Sequence, residues 1–239
     1  MKKIMKNAIF TILFSVLIIL ALFLAYLFLY ASNDRNLSGK WTADLDMTGQ
    51  AAVTALGWLQ DMEAVSVSLQ DMETRMQGLT VKLDLTLEQT ARSGGTFVST
   101  VQQESYAACS QAAYEAFAAV FRELVADRLR MAGYTGNTDA EAVETLVVQT
   151  FRMPTVSYLM TCVPDLLPPL EDLQTQYGGS GTYETAEDIL TRQSDSGSLI
   201  RTRTERFIRK DTTLILTEET ASATPGNLAG HYPMIYTLE

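Results

Sequence analysis

Histidine, cysteine and basic residues are scarce in this chain of 239 residues. A single histidine excludes a multi-histidine metal centre, and two cysteines exclude a disulfide-dense scaffold. Eighteen Lys and Arg stand against 28 Asp and Glu, a formal net charge of −10, so the chain lacks the basic face of a nucleic-acid binder. It has no glycine-rich phosphate loop, no Gly-x-Ser-x-Gly elbow and no Ser-x-x-Lys pair, and no motif asks for a cofactor. Apolar residues, by contrast, are abundant for so acidic a composition: mean hydropathy is +0.05. They are unevenly placed.

Residues 8–30 contain no charge. As a helix these 23 residues span about 34 Å, enough for a hydrocarbon core of about 30 Å. Lys2, Lys3 and Lys6 precede the run and predict a cytoplasmic N-terminus, while Arg35 and Lys40 lie on the far flank. A cleaved signal peptide has a shorter apolar region and then a small-x-small site. Here Leu29-Tyr30-Ala31-Ser32 puts bulky residues at that place, and no lipobox cysteine follows. The expected organisation is a cytoplasmic segment 1–7, a transmembrane signal-anchor helix 8–30, a linker 31–36 and an extracytoplasmic domain 37–239. Residues 1–30 hold three of the 18 basic residues and none of the 28 acidic ones, which leaves the remainder with 15 against 28, a net charge of −13.

Period-two alternation marks strands. Over Lys40 to Thr48, Trp41, Ala43, Leu45 and Met47 share one face. Over Leu79 to Gln89, Leu79, Val81, Leu83, Leu85 and Leu87 do the same. Arg92-Ser93-Gly94-Gly95 reads as a hairpin turn and Thr96 to Val101 as the returning strand. Further strands are predicted over 182–184, 189–193, 203–210, 212–217 and 231–238. Helices are predicted over 50–61 and, in an insertion at about 104–176, over 104–131, 138–150, 154–163 and 170–176. Thr138-Asp139-Ala140-Glu141 supplies a capping box for the second of these insertion helices, and Pro164, Pro168 and Pro169 interrupt the third. Strands that do not alternate with helices argue for an α+β fold with an antiparallel sheet. Seven or eight short strands fit either a small closed barrel or an open curved sheet with helices on one face.

Gly39-Lys40-Trp41 resembles the Gly-x-Trp strand of lipocalin-type barrels. More broadly, residues 37–239 resemble single-anchor extracytoplasmic proteins of Gram-positive bacteria that have no assigned function. The shared marks are Gly39-Lys40-Trp41 with Asp46-Met47-Thr48, a helical insertion, Gly181-Thr182-Tyr183 with Asp188-Ile189-Leu190, Thr213-Leu214-Ile215-Leu216, and Pro233-Met234-Ile235-Tyr236. Gly94-Gly95-Thr96-Phe97 departs from the Asp-Gly-Thr-Tyr turn common in such proteins. The resemblance implies a lipocalin-like β-domain. The insertion is foreign to true lipocalins, so a ligand cavity inside the barrel is not implied, and no activity comes with the resemblance.

Several constellations have both a chemical and a structural reading. Asp44-Leu45-Asp46-Met47-Thr48 matches the D-x-D-x-T loop of Mg²⁺-dependent phosphotransferases, which needs a buried parallel strand and a later acidic pair. Glu171-Asp172, the later pair considered for it, sits in a proline-broken segment, so a solvated strand face is the expectation and a phosphatase a distant third function. Cys109 and Cys162 fit either a disulfide or two buried thiols. His231 reads as structural. Arg201, Arg203, Arg206, Arg209 and Lys210 form a basic cluster: Arg201 and Arg203 share one strand face, Arg206 and Lys210 the other. It is a candidate docking patch for anionic wall polymer or lipid headgroups, or else a set of cross-strand partners for nearby carboxylates. The stripe of the 104–131 helix reads as core.

The expected function is a membrane-anchored extracytoplasmic binding or interaction module at the cell envelope, with an apolar pocket between sheet and insertion as its site. The alternative is a structural or assembly subunit of a membrane complex. The expected partners are the membrane itself and an apolar ligand, an envelope polymer or a membrane protein, with no nucleic acid.

Overall fold

The computed structural model describes residues 20, 36–60, 67–195, 200–218 and 232–239. Apart from Leu20 the expected anchor, with the segment before it, lies outside the described residues. Among the described residues no helix is long and apolar enough to cross a membrane.

Eight strands form a closed antiparallel barrel: β1 (Gly39–Asp46), β2 (Thr80–Ala91), β3 (Gly94–Val101), β4 (Gly179–Ala186), β5 (Ile189–Asp195), β6 (Ile200–Lys210), β7 (Thr213–Glu218) and β8 (Met234–Leu238). Each strand pairs with its neighbour in sequence, and β8 pairs back onto β1 through Trp41 opposite Leu238 and Ala43 opposite Tyr236. Closure selects the barrel from the two sheet forms that the alternation allowed. The inward faces are the apolar ones: Trp41, Ala43 and Leu45 on β1, and Val81, Leu83, Leu85 and Leu87 on β2, are all buried.

Strand direction sorts the connections. The hairpin turns at 92–93, 187–188 and 211–212 lie at one end, together with Leu37 ahead of β1. The six helices of the described residues all enter and leave the barrel at the other end. The hairpin end is sealed by Trp41, whose Nε1 donates to the Leu37 carbonyl at 2.8 Å, with the Arg209 guanidinium 5.7 Å from its ring centroid. Gly39, at φ +149°, makes room there, since a Cβ would come within 2.4 Å of Leu238 Cδ1.

Several boundaries differ from expectation. Gly94 and Gly95 belong to β3, not to the turn. They face a register shift between Gln89 and Ala91, and a Cβ on Gly95 would stand 1.9 Å from the Glu88 carbonyl oxygen. The glycines there let two backbones approach at a bulge. β4 opens at Gly179, three residues before the alternation begins.

Helix α1 (Thr48–Gln60) follows β1 at once, because Asp46 Oδ1 accepts the Thr48 amide at 2.9 Å. It buries Ala51, Ala52, Ala55 and Leu59. Helix α2 (Leu69–Arg75) is an addition to the expected elements, opened by a capping box in which the Ser68 hydroxyl accepts the Asp71 amide at 3.2 Å. The insertion between β3 and β4 holds α3 (Gln103–Met131), α4 (Ala140–Phe151), α5 (Thr155–Cys162) and α6 (Leu170–Tyr177). α3 buries Cys109, Ala113, Tyr114, Phe117, Val120 and Phe121, successive positions one, three or four apart on one helical face, so its stripe is core as expected. Trp58 of α1 meets Phe117 edge-on at 5.8 Å, which ties the first helix to the insertion. α6 lies against β3: Gln174 Nε2 donates to the Val101 carbonyl at 2.7 Å, and Ser99 Oγ donates to the Tyr177 carbonyl at 2.8 Å.

Candidate functional site

The barrel interior holds a polar cluster. Arg192 of β5 and Glu205 of β6 both point inward, and their side chains are 5% and 0% exposed. Arg192 donates twice, Nε to Oε2 at 2.9 Å and Nη2 to Oε1 at 2.7 Å, the parallel fork that suits a carboxylate. The Tyr232 hydroxyl donates to Glu205 Oε1 at 2.6 Å. The Arg192 guanidinium lies 5.6 Å from the Phe97 ring centroid. Burial works against the charge on Arg192, but the Glu205 carboxylate more than offsets this and holds its pKa above the ordinary value. Burial, and then the Glu205 carboxylate, raises the Tyr232 phenol well above its usual range. Burial also pushes the phenols of Tyr177 and Tyr236 up to about 12. Arg192, Glu205 and Tyr232 supply one another's polar partners, so a charge pair is held inside the barrel.

The basic cluster is divided by strand parity. Arg201, Arg203 and Arg209 have the inward parity of Glu205 and Phe207. Arg201 Nη1 donates to the Thr175 carbonyl at 2.9 Å and Arg203 Nη2 to the Gln176 carbonyl at 2.7 Å, so both cap the C-terminal end of α6. Arg209 covers Trp41 at the opposite end of the barrel. Arg206 and Lys210 face outward, and Arg206 Nη1 pairs with Asp188 Oδ2 at 2.9 Å. The five residues therefore do not form one surface.

Asp44 and Asp46 sit on the exposed face of an antiparallel strand, with Asp44 opposite Lys82 and Asp46 holding the start of α1. The phosphotransferase loop needs a parallel strand, so this geometry does not support that chemistry. Among the described residues no group of three or more His, Cys, Asp or Glu is placed to hold a metal ion. Glu171 and Asp172 occupy the first turn of α6. The two cysteines are free thiols: Cys109 is buried, Cys162 exposed. Burial, with Asp46 nearby, pushes the Cys109 thiol up to about 11. His231 lies outside the described residues.

Two features escaped the sequence reading. One is the Arg192–Glu205–Tyr232 cluster, whose signal was a pair of charged residues at inward positions of alternating strands. The other is Glu144 of α4. Its Oε2 accepts Arg122 Nη1 at 2.8 Å and the Thr155 hydroxyl at 2.6 Å, and its Oε1 accepts the Thr155 amide at 3.0 Å. Burial raises its pKa, but the Thr155 and Arg122 bonds outweigh burial and leave it below the ordinary value. One carboxylate thus joins α3, α4 and α5. On these helices Val148, Phe151 and Met160 are exposed, and Phe151 stacks on Tyr158 with ring centroids 4.2 Å apart. Comparison with family models, with curated proteins and with solved structures found no match.

Proposed function

We propose that the chain is a single-span, membrane-anchored interaction module whose domain lies outside the cytoplasm and meets an apolar partner of the cell envelope through its helical insertion. The observation that carries this reading is the occupied barrel interior. An eight-stranded barrel is just wide enough to hold side chains or one small ligand. Here all eight strands fill it, with Trp41, Leu85, Phe97, Tyr183, Leu190, Phe207, Leu214 and Tyr236 around the Arg192–Glu205 pair. Recognition is thereby left to outer surfaces, and the insertion offers the exposed apolar set of Val148, Phe151 and Met160. The anchor side of the proposal rests on the uncharged run 8–30 and the lysines ahead of it.

Cys162 is an exposed thiol and reports the topology. A membrane-impermeant maleimide should label it in intact cells, and Cys162→Ser should abolish the label. Labelling that needs cell lysis overturns the extracytoplasmic assignment. For the partner, a photocrosslinking residue placed at Val148 or Met160 should give an adduct of defined mass in intact cells. Recovery of unmodified monomer from both positions overturns the insertion as the recognition surface.

A further inference from the structure

On the outer wall of the barrel, strands β6, β7 and β8 carry a row of three isoleucines. Ile208 stands opposite Ile215, and Ile215 opposite Ile235. Ile208 is 63% exposed and Ile235 57%. Toward the hairpin end the next outward row is Lys210, Thr213 and Thr237, and on the other side Arg206 stands opposite Thr217. These eight positions include no carboxylate, although residues 31–239 carry 28 of them against 15 basic residues. Asp188, the partner of Arg206, and Asp211 stand at the hairpin turns bordering the wall, and Glu239, the next outward residue after Thr237, is paired with Lys40 of β1.

The same wall lies beside the tether. Leu37 is fixed at the hairpin end, immediately ahead of β1, and β1 is hydrogen-bonded to β8. Seven residue steps separate Tyr30, the last of the uncharged run, from Leu37, a reach of at most about 25 Å even fully extended. The isoleucine row is two residues from the end of β6, about 7 Å along the strand. A chain anchored through 8–30 therefore keeps this wall within reach of the lipid surface.

We infer that the β6–β8 wall is a membrane-docking face. Its isoleucines enter the boundary between headgroups and acyl chains, its threonines lie among the headgroups, and Lys210 meets the phosphates of anionic phospholipid. The inference rests on the anchor reading. Docking there would orient the whole domain, setting the β3 wall, four strands away round the barrel, toward the aqueous side.

The test uses the full chain reconstituted into vesicles of phosphatidylcholine and phosphatidylglycerol with brominated acyl chains. Ile235→Trp is compared with Val98→Trp, an exposed outward position on β3, each corrected for the two native tryptophans. Bromolipid quenching should be several-fold stronger at position 235, and Lys210→Glu should lower the docked-to-undocked ratio about tenfold. Equal quenching at both positions in chain that stays with the vesicles after carbonate washing overturns docking and leaves the anchor standing. Chain that washes off overturns both. A crosslinked dimer through Ile235→Cys, made in the Cys162→Ser background and without bromolipid quenching of Ile235→Trp, assigns the wall to a second copy and overturns the lipid reading.

Discussion

Tyr177 and Tyr236 are held neutral by burial, and their phenols titrate near pH 12, against an ordinary value near 10. The folded chain thus keeps protons that the unfolded chain releases. Their contribution to stability is whole below about pH 10 and is lost as pH rises through about 12. Unfolding midpoints in urea should hold steady up to about pH 9 and fall steeply above pH 10, with phenolate absorbance lagging until the barrel opens. The glycines allow a second comparison. Gly95→Ala drives a Cβ into the Glu88 carbonyl and should cost more than about 3 kcal/mol. Gly57→Ala, inside α1 with open space around it, should instead stabilise by about 0.5–1 kcal/mol in the same denaturation assay. The roles of individual residues were only partly legible in the sequence. Trp41 and Leu85 announced themselves by alternation. Glu205 did not, because a carboxylate between two arginines on one strand reads as solvated, and only its partner on the neighbouring strand explains its burial.

At the level of elements, β5 and β6 depend on one charge pair. Arg192→Met leaves Glu205 buried without its guanidinium and should cost about 3–5 kcal/mol. Adding Glu205→Leu should recover most of that loss, measured as urea midpoints of the three variants. In the insertion, Glu144→Ala removes the cap of α5 and the Arg122 bond and should cost about 1–2 kcal/mol. Hydrogen exchange should then quicken across α4 and α5 with β1 and β2 unchanged. Strands β1 and β2 were legible because their outward residues are polar and their inward ones aliphatic. β4 was legible only in part, since Gly179 and Gly181 present no side chain to alternate. α2 was missed because seven residues give too little periodicity, although Ser68 and Asp71 mark its start.

For the whole molecule, the core is unequal in depth. One cluster runs from the barrel through α1 and α3, while α4 rests on a second, small one made of Ala126, Val143 and Val147. The α4 amides should therefore exchange at lower free energy than those of β1 and β2, read by native-state hydrogen exchange against denaturant. That closure occurs at all left no local trace in the sequence, because the β1–β8 pairing joins segments nearly a domain length apart. The pairing also bears on synthesis. Of the eight described strands β8 emerges after all the others, and both β1 and β7 wait for it. Without the five residues of β8 the sheet has two unpaired borders, on β1 and β7, instead of none. Pairing of this one short strand is thus what turns an eight-stranded sheet with two open margins into a continuous wall with none.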